Sequence, residues 1–331
     1  MAYPDTASAR DAFILSRRPS RPAHDPLRPH GETLEQERAE TGELADVVTV
    51  FLTGRECPWR CAMCDLWRYT TEGDTPPGAI PQQIREVLGA GGASGRPRHI
   101  KLYNAGSFFD PRAVPPDDYP AIAAAVAGFS RVIVESHPAL IGPRVDEWLE
   151  ALAAEGVDAA PQLEVAMGLE TAHPDALERL NKRMTIEQFH HAAAELRRRD
   201  VALRVFVLVS PPFVPASEQP AWLRRSVDVA FECGASAVSL IPMRNGNGTV
   251  EALAADGQYD APTLDAFEDA MDAALDRARG RVFADLWDVE RLASCEACFD
   301  QRKARLTSMN LTQRLIARVP CRVCSPVEVR A

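Results

Sequence analysis

The stretch Val47-Val-Thr-Val-Phe-Leu-Thr-Gly54-Arg-Glu-Cys57-Pro-Trp-Arg-Cys61-Ala-Met-Cys64-Asp-Leu-Trp67 decides how the rest of the chain is read. Its first six residues are apolar or β-branched, the composition of a buried strand. Gly54 breaks the run, and three cysteines follow with CxxxCxxC spacing. They therefore belong to a loop at the carboxyl end of the first strand, where parallel α/β barrels carry their active-site loops. A glycine-rich phosphate turn is missing from this loop: Gly54 is followed by Arg55, Glu56 and Cys57. That counts against a dinucleotide-binding fold.

Outward from this stretch the same rhythm repeats. Short apolar runs recur at His99–Tyr103, Arg131–Glu135, Leu163–Leu169, Leu203–Val209 and Ala237–Ile241. Amphipathic stretches with helical spacing accompany them at Ile80–Leu88, Tyr119–Phe129, Val145–Glu155, Ile186–Arg199, Ala221–Cys233 and Thr263–Arg279. Six strand–helix units in series predict an α/β protein with a parallel sheet buried on both faces. Right-handed crossovers curl such a sheet into a partial (β/α)6 barrel, with an open doubly wound sheet as the alternative. The first 45 residues, rich in Arg, Pro, Asp and Glu, read as an arm that wraps the domain or is partly mobile. The expected organisation is an arm over 1–45, a core barrel over 46–286 and a Cys-rich segment over 287–331.

Three closely spaced thiolates can ligate three irons of a cubane and leave the fourth iron without a protein ligand. An open coordination position is what a metal needs to bind and activate a small molecule. Zinc completed by a distant fourth ligand is the competing use of the same residues. On the CxxxCxxC motif the chain resembles the radical S-adenosylmethionine (SAM) superfamily. The resemblance implies a [4Fe–4S] cluster on Cys57, Cys61 and Cys64. Its free iron would chelate the amino and carboxylate groups of SAM. Reductive cleavage would then give a 5′-deoxyadenosyl radical that abstracts hydrogen from a substrate. An electron donor such as a flavodoxin or ferredoxin is implied as partner. The residue before the last cysteine, often aromatic in this superfamily and set near the adenine, is Met63 here.

Further motifs extend the resemblance over roughly Val47 to Ala284. Tyr103-Asn104-Ala105-Gly106-Ser107-Phe108 stands where a Gly-Gly-Glu-like segment would bind the SAM amino group. It lacks the Glu, so Asn104, Ser107 or backbone carbonyls would supply the acceptors, with Gly106 allowing close approach. Glu135 and His137 end the third strand; Glu135 is a candidate for SAM or substrate. Gly168-Leu-Glu170-Thr171 and Leu180-Asn-Lys-Arg183-Met-Thr185 resemble the elongator-type and methylthiotransferase-type branch. By that resemblance Glu170 contacts the ribose or amine and Arg183 pairs with the SAM carboxylate; Thr185 also caps the helix at Ile186. Ile241, at the end of the sixth strand, is assigned to backbone contact with adenine. Within the branch the resemblance is to the archaeosine-synthase-like subfamily.

The C-terminal region carries Cys295-Glu-Ala-Cys298 and Cys321-Arg-Val-Cys324. Two such knuckles supply four thiolates for a tetrahedral zinc or for a second, closed [4Fe–4S] cluster. The remaining cysteine, Cys233, reads as a buried small hydrophobe.

The chain of 331 residues has a net charge of −10, which excludes a broad positive field for indiscriminate nucleic-acid binding. From Trp287 onward, however, basic residues outnumber acidic ones. Two substrate classes follow: a modified base in tRNA, or a small metabolite. The rival from another class is a metal-stapled binding module without chemistry. No apolar run has the length of a membrane span and no apolar stretch follows Met1 to Arg10 as in a secretory signal, so a cytoplasmic setting with reduced thiols is expected.

Overall fold

Strand order in space follows strand order in sequence, because each apolar run lies beside the next one along the chain. The computed structural model describes residues 2–89, 98–155 and 160–324. Its main sheet has eight strands: β1 (Gly31–Arg38), β2 (Leu44–Leu52), β3 (His99–Asn104), β4 (Arg131–Glu135), β5 (Gln162–Glu170), β6 (Ala202–Val209), β7 (Ala237–Pro242) and β8 (Arg281–Ala284). β1 pairs antiparallel with β2, and every later pairing is parallel.

All six strands expected from the apolar runs are present. Two more extend the sheet into a nearly closed barrel. β8 was hidden because it is only four residues long, too short for periodicity to register. β1 was hidden because its sequence, GETLEQER, is dominated by polar side chains. It belongs to the stretch expected as an arm. That stretch also forms helix α1 (Ala7–Arg17), whose Phe13 and Ile14 pack with Tyr3 into an apolar cluster under the barrel mouth.

Outside the sheet, in order, run α2 (Ala79–Gly89), α3 (Tyr119–Val126), α4 (Pro143–Ala154), α5 (Pro174–Arg179), α6 (Ile186–Arg198), α7 (Gln219–Glu232), α8 (Thr249–Ala255), α9 (Leu264–Asp276) and α10 (Glu296–Thr312). One main core of Val, Ile, Leu and Phe side chains runs from Val48 to Met309, so α10 shares the barrel's core. Cys233 is buried within it.

The curl of the sheet is visible in its charges. Arg204 of β6 donates to Glu37 of β1 at 2.9 Å, and Arg281 of β8 reaches Glu164 of β5 at 3.2 Å. These strands are not neighbours, so the pairs cross the barrel interior. Arg204 and Arg131 also bond Glu164, at 2.6 and 2.7 Å, and Lys101 joins Glu37 and Glu35. Buried charge is tolerated only when paired and hydrogen-bonded. Here burial opposes ionisation, but Arg204 and Lys101 override it and hold the Glu37 carboxyl down to about 2. This ionic layer fills the barrel at the amino ends of the parallel strands and leaves the carboxyl end as the open one.

Candidate active site

The cysteine loop leaves the end of β2 and is fastened at almost every step. Gln83 of α2 caps both backbone groups of Thr53, accepting from its N–H at 2.8 Å and donating to its carbonyl at 2.7 Å. Glu56 takes Arg18 and Arg21 from the N-terminal segment, at 2.7 and 2.6 Å, and Arg60 from the loop itself at 3.2 Å. Farther on, the Asn181 amide donates to the Arg60 carbonyl at 2.7 Å. The Ala62 N–H donates to Leu180 at 2.9 Å, and Asn247 donates to the Ala62 carbonyl at 2.9 Å. Trp59, between the first two cysteines, stacks on His137 at 3.6 Å between centroids with an interplanar angle of 12°. His137 Nδ1 accepts from the Ala139 N–H, so Nε2 carries the proton and donates to the Lys182 carbonyl at 3.0 Å. Burial and the nearby Lys182 lower the imidazole to about 3, leaving it neutral.

Facing the loop is a polar wall at the strand ends. Glu170 ends β5 with φ of 66°, next to a bulge at Gly168/Glu170. Its carboxylate accepts from Lys182, which also donates to the Gly168 carbonyl. A Cβ on Gly168 would lie 2.0 Å from Glu170 Oε1 and 2.3 Å from Lys182 Nζ, so glycine is required for the pair to form. Glu135 ends β4; burial pushes it up to about 8, while the Asn104 backbone N–H and Lys182 pull the other way. Asn104 Oδ1, at the end of β3, is buried without a partner.

The expected site residues divide cleanly. Asn104, Glu135, Glu170 and Ile241 all stand at carboxyl ends of barrel strands. Met63 and Ile241 pack against the same apolar cluster. Ser107 follows β3 and accepts from the His137 N–H at 3.0 Å, tying that loop to β4. Gly106 packs against the cysteine loop: a Cβ there would lie 2.8 Å from the Arg55 carbonyl. Arg183 goes elsewhere. Its guanidinium is taken by Asp11 at 2.7 Å and the Ala7 carbonyl at 2.9 Å, on α1. Asn181 and Arg183 both have φ of 59°, and the intervening Lys182 is the cation that meets Glu170. Sequence reading singled out the segment but missed Lys182, the Trp59–His137 stack, and the loop tethers Asn181 and Asn247.

Burial pushes the Cys57 and Cys64 thiols up, to about 11 and 12, and raises Cys61 as well. A strongly electrophilic partner is needed to hold three such thiolates together. Iron supplies that, so the donor set fits a cluster. Cys295, Cys298, Cys321 and Cys324 differ: their Sγ atoms all lie within 4.8 Å of one another, the only such group among the described residues.

The chain is 26% identical over 232 residues to archaeosine synthase subunit beta of Methanosarcina acetivorans, covering 67% of this chain and 65% of that protein. It is also 26% identical over 171 residues to an uncharacterized protein of Methanocaldococcus jannaschii, covering 50% of this chain and 45% of that one. The chain thus spans about two thirds or less of the length of these curated relatives. Among solved structures, the Elp3 protein of Methanocaldococcus infernus superposes with a TM-score of 0.47 at 11% identity, over 62% of this chain and 51% of that one. Residues 51–215, from β2 past the end of β6, match the family model described as Radical SAM superfamily. Three cysteines at the mouth of a parallel barrel, in a stretch that this model covers, make the chain a member of the radical SAM superfamily.

Proposed function

We propose that the chain is a radical SAM enzyme whose cluster is held by Cys57, Cys61 and Cys64 and whose substrate is a base in tRNA. When bound, the [4Fe–4S] cluster and SAM supply a 5′-deoxyadenosyl radical for hydrogen abstraction; a flavodoxin or ferredoxin is the proposed reductant. The residues of the chain position and shelter this chemistry. Glu170, oriented by Lys182, and Glu135 offer carboxyl groups to the SAM amine or ribose. Asn104 offers a buried acceptor that a ligand N–H would satisfy. The Gly106–Ser107 turn locks the β3 end against the cysteine loop, and Met63 and Ile241 offer an apolar face to adenine.

The observation that carries the reading is the fastened cysteine loop opposite the Glu170–Lys182 pair. For the substrate, support comes from the relative named as a subunit of archaeosine synthase. Most of the basic C-terminal tail lends no support, because Arg291, Arg302, Lys303, Arg305 and Arg318 are engaged by acidic side chains. The test is anaerobic reconstitution with iron and sulfide, then reduction in the presence of SAM. Formation of 5′-deoxyadenosine is expected; none from an intact reduced cluster rejects the enzyme reading. Deuterium transfer from labelled tRNA into 5′-deoxyadenosine is expected. Transfer only from a small metabolite would replace the substrate class.

A further inference from the structure

No backbone ladder joins the first and last strands of the barrel; among the described residues the Arg281 side chain reaches the Arg38 carbonyl across the gap, at 3.3 Å. β1 and β8 are the two edges of the sheet, and an exposed edge offers unpaired N–H and C=O groups. Helix α10 covers this seam, packing on both strands. Its polar side chains do the work of a missing strand. Asn310 accepts from the Ala284 N–H at 2.7 Å and donates to the Ala284 carbonyl at 2.9 Å. Gln313, just past the helix, does the same for Val282 at 2.7 and 2.8 Å. Arg302 and Arg305 bond Glu268, fixing α10 to α9.

Beyond Gln313 the chain turns back along α10 as a strap without regular structure. Arg305 holds it through the Ile316 carbonyl at 2.9 Å, and Arg318 anchors it to Asp272 at 2.8 Å. It ends at Cys321 and Cys324, against the start of α10. Cys295 is the N-cap of that helix and Cys298 lies in its first turn.

We infer that Cys295, Cys298, Cys321 and Cys324 bind one zinc ion in a closed tetrahedral site that clasps the strap to the seam-sealing helix. The sulfur spacing decides between the two metals. Four thiolates about 2.3 Å from a central zinc stand about 3.8 Å apart along the tetrahedron's edges. Here Cys295 Sγ lies 3.9 Å from Cys321 Sγ, and Cys298 Sγ 3.7 Å from Cys324 Sγ. A cubane would hold each thiolate on a separate iron corner, so its four sulfurs would stand well beyond this spacing. The ligands come in two pairs from the two segments, so the ion cross-links strap to helix. This site leaves no open position for substrate, and its role is to keep the last barrel edge covered.

The test uses the full chain, purified and reconstituted without oxygen, and its zinc and cobalt readouts are independent of the radical SAM reading, which only the iron count tests. About one zinc and about four irons per chain are expected. Replacing zinc by cobalt(II) is expected to give the intense visible bands of a tetrahedral thiolate site. The Cys57→Ala/Cys61→Ala/Cys64→Ala variant is expected to keep the zinc and lose the iron. Iron persisting in that variant in place of zinc overturns the inference, as does a chain with neither zinc nor tetrahedral cobalt. In the Cys321→Ser/Cys324→Ser variant, zinc is lost, iron is kept, and trypsin cuts at Arg314, Arg318 or Arg322 at least about tenfold faster. Unchanged cutting with zinc lost overturns the clasp.

Discussion

Cysteines occur in two clusters in this chain, and the two are built on opposite plans. At the mouth, Cys57, Cys61 and Cys64 are neighbours in sequence, and the structure spends its bonds on the backbone between them: the Arg60 carbonyl, both backbone groups of Ala62, and the Trp59 ring. At the seam, Cys295 and Cys298 lie 26 residues from their partners, and the thiols themselves converge. The first plan fixes a loop while leaving its sulfurs to a larger guest. The second brings four sulfurs to one point and leaves no vacancy. An open site needs an external scaffold, whereas a closed one becomes the scaffold.

The sharpest way to break this contrast is to remove one cysteine from each cluster. Cys61→Ala is expected to abolish 5′-deoxyadenosine formation, down to the level without protein, with iron lost. Cys298→Ser is expected to keep the iron. Iron assay and chromatography of the nucleoside read both; a Cys61→Ala protein that retains cluster and turnover would collapse the distinction.

Next in size is the buried pair behind the open site. Lys182→Met leaves Glu170 without its cation in a buried position, which costs on the order of 3–5 kcal/mol. Adding Glu170→Gln is expected to recover much of that loss, since a neutral amide is cheaper to bury than an orphaned carboxylate. Denaturant unfolding of the apoprotein measures both variants. Equal midpoints for single and double variants would show that the pair is not coupled.

This pair also marks how far the sequence can be read. The strands were legible because Val, Ile and Leu runs between helical stretches have few other uses. The cysteines were legible because their spacing is local. Glu170 was legible as a carboxylate at a strand end. Its partner was not, because Lys182 and Arg183 are adjacent cations and only the positive φ at Asn181 and Arg183 decides which one faces inward. The Trp59–His137 stack joins residues 78 positions apart, and no local pattern encodes that. β1 escaped because its strand character comes from pairing with β2 and from Glu37 plugging the barrel. Its composition suggested only a solvated arm.

A pH experiment separates the two buried groups beside the open site. Glu135 is raised to about 8, so the folded apoprotein holds a proton that the unfolded chain releases above about 4.5. Stability therefore falls as pH rises through that window, by at most about 1.4 kcal/mol per pH unit. His137 works in the opposite sense. Its pKa is lowered to about 3, so its contribution is lost as pH falls below the ordinary imidazole value. Glu135→Gln is expected to flatten the decline above pH 5 and leave the acid limb intact. A Gln variant with the wild-type slope would assign the decline to other groups.

The smallest effect should come from the residue that sequence resemblance favoured most directly for the SAM carboxylate. Arg183 is half-exposed and pairs with an equally exposed Asp11, and exposed pairs contribute about 1 kcal/mol or less. Arg183→Ala should accordingly shift the unfolding midpoint only slightly and leave SAM affinity unchanged, whereas Lys182→Met should weaken SAM binding through the misplaced Glu170. Isothermal titration of SAM into the reconstituted variants compares them directly. A large loss of affinity in Arg183→Ala, with Lys182→Met unaffected, would mean that α1 swings away on ligand binding and frees the guanidinium. The N-terminal segment would then be a moving part of the mouth and not its fixed border.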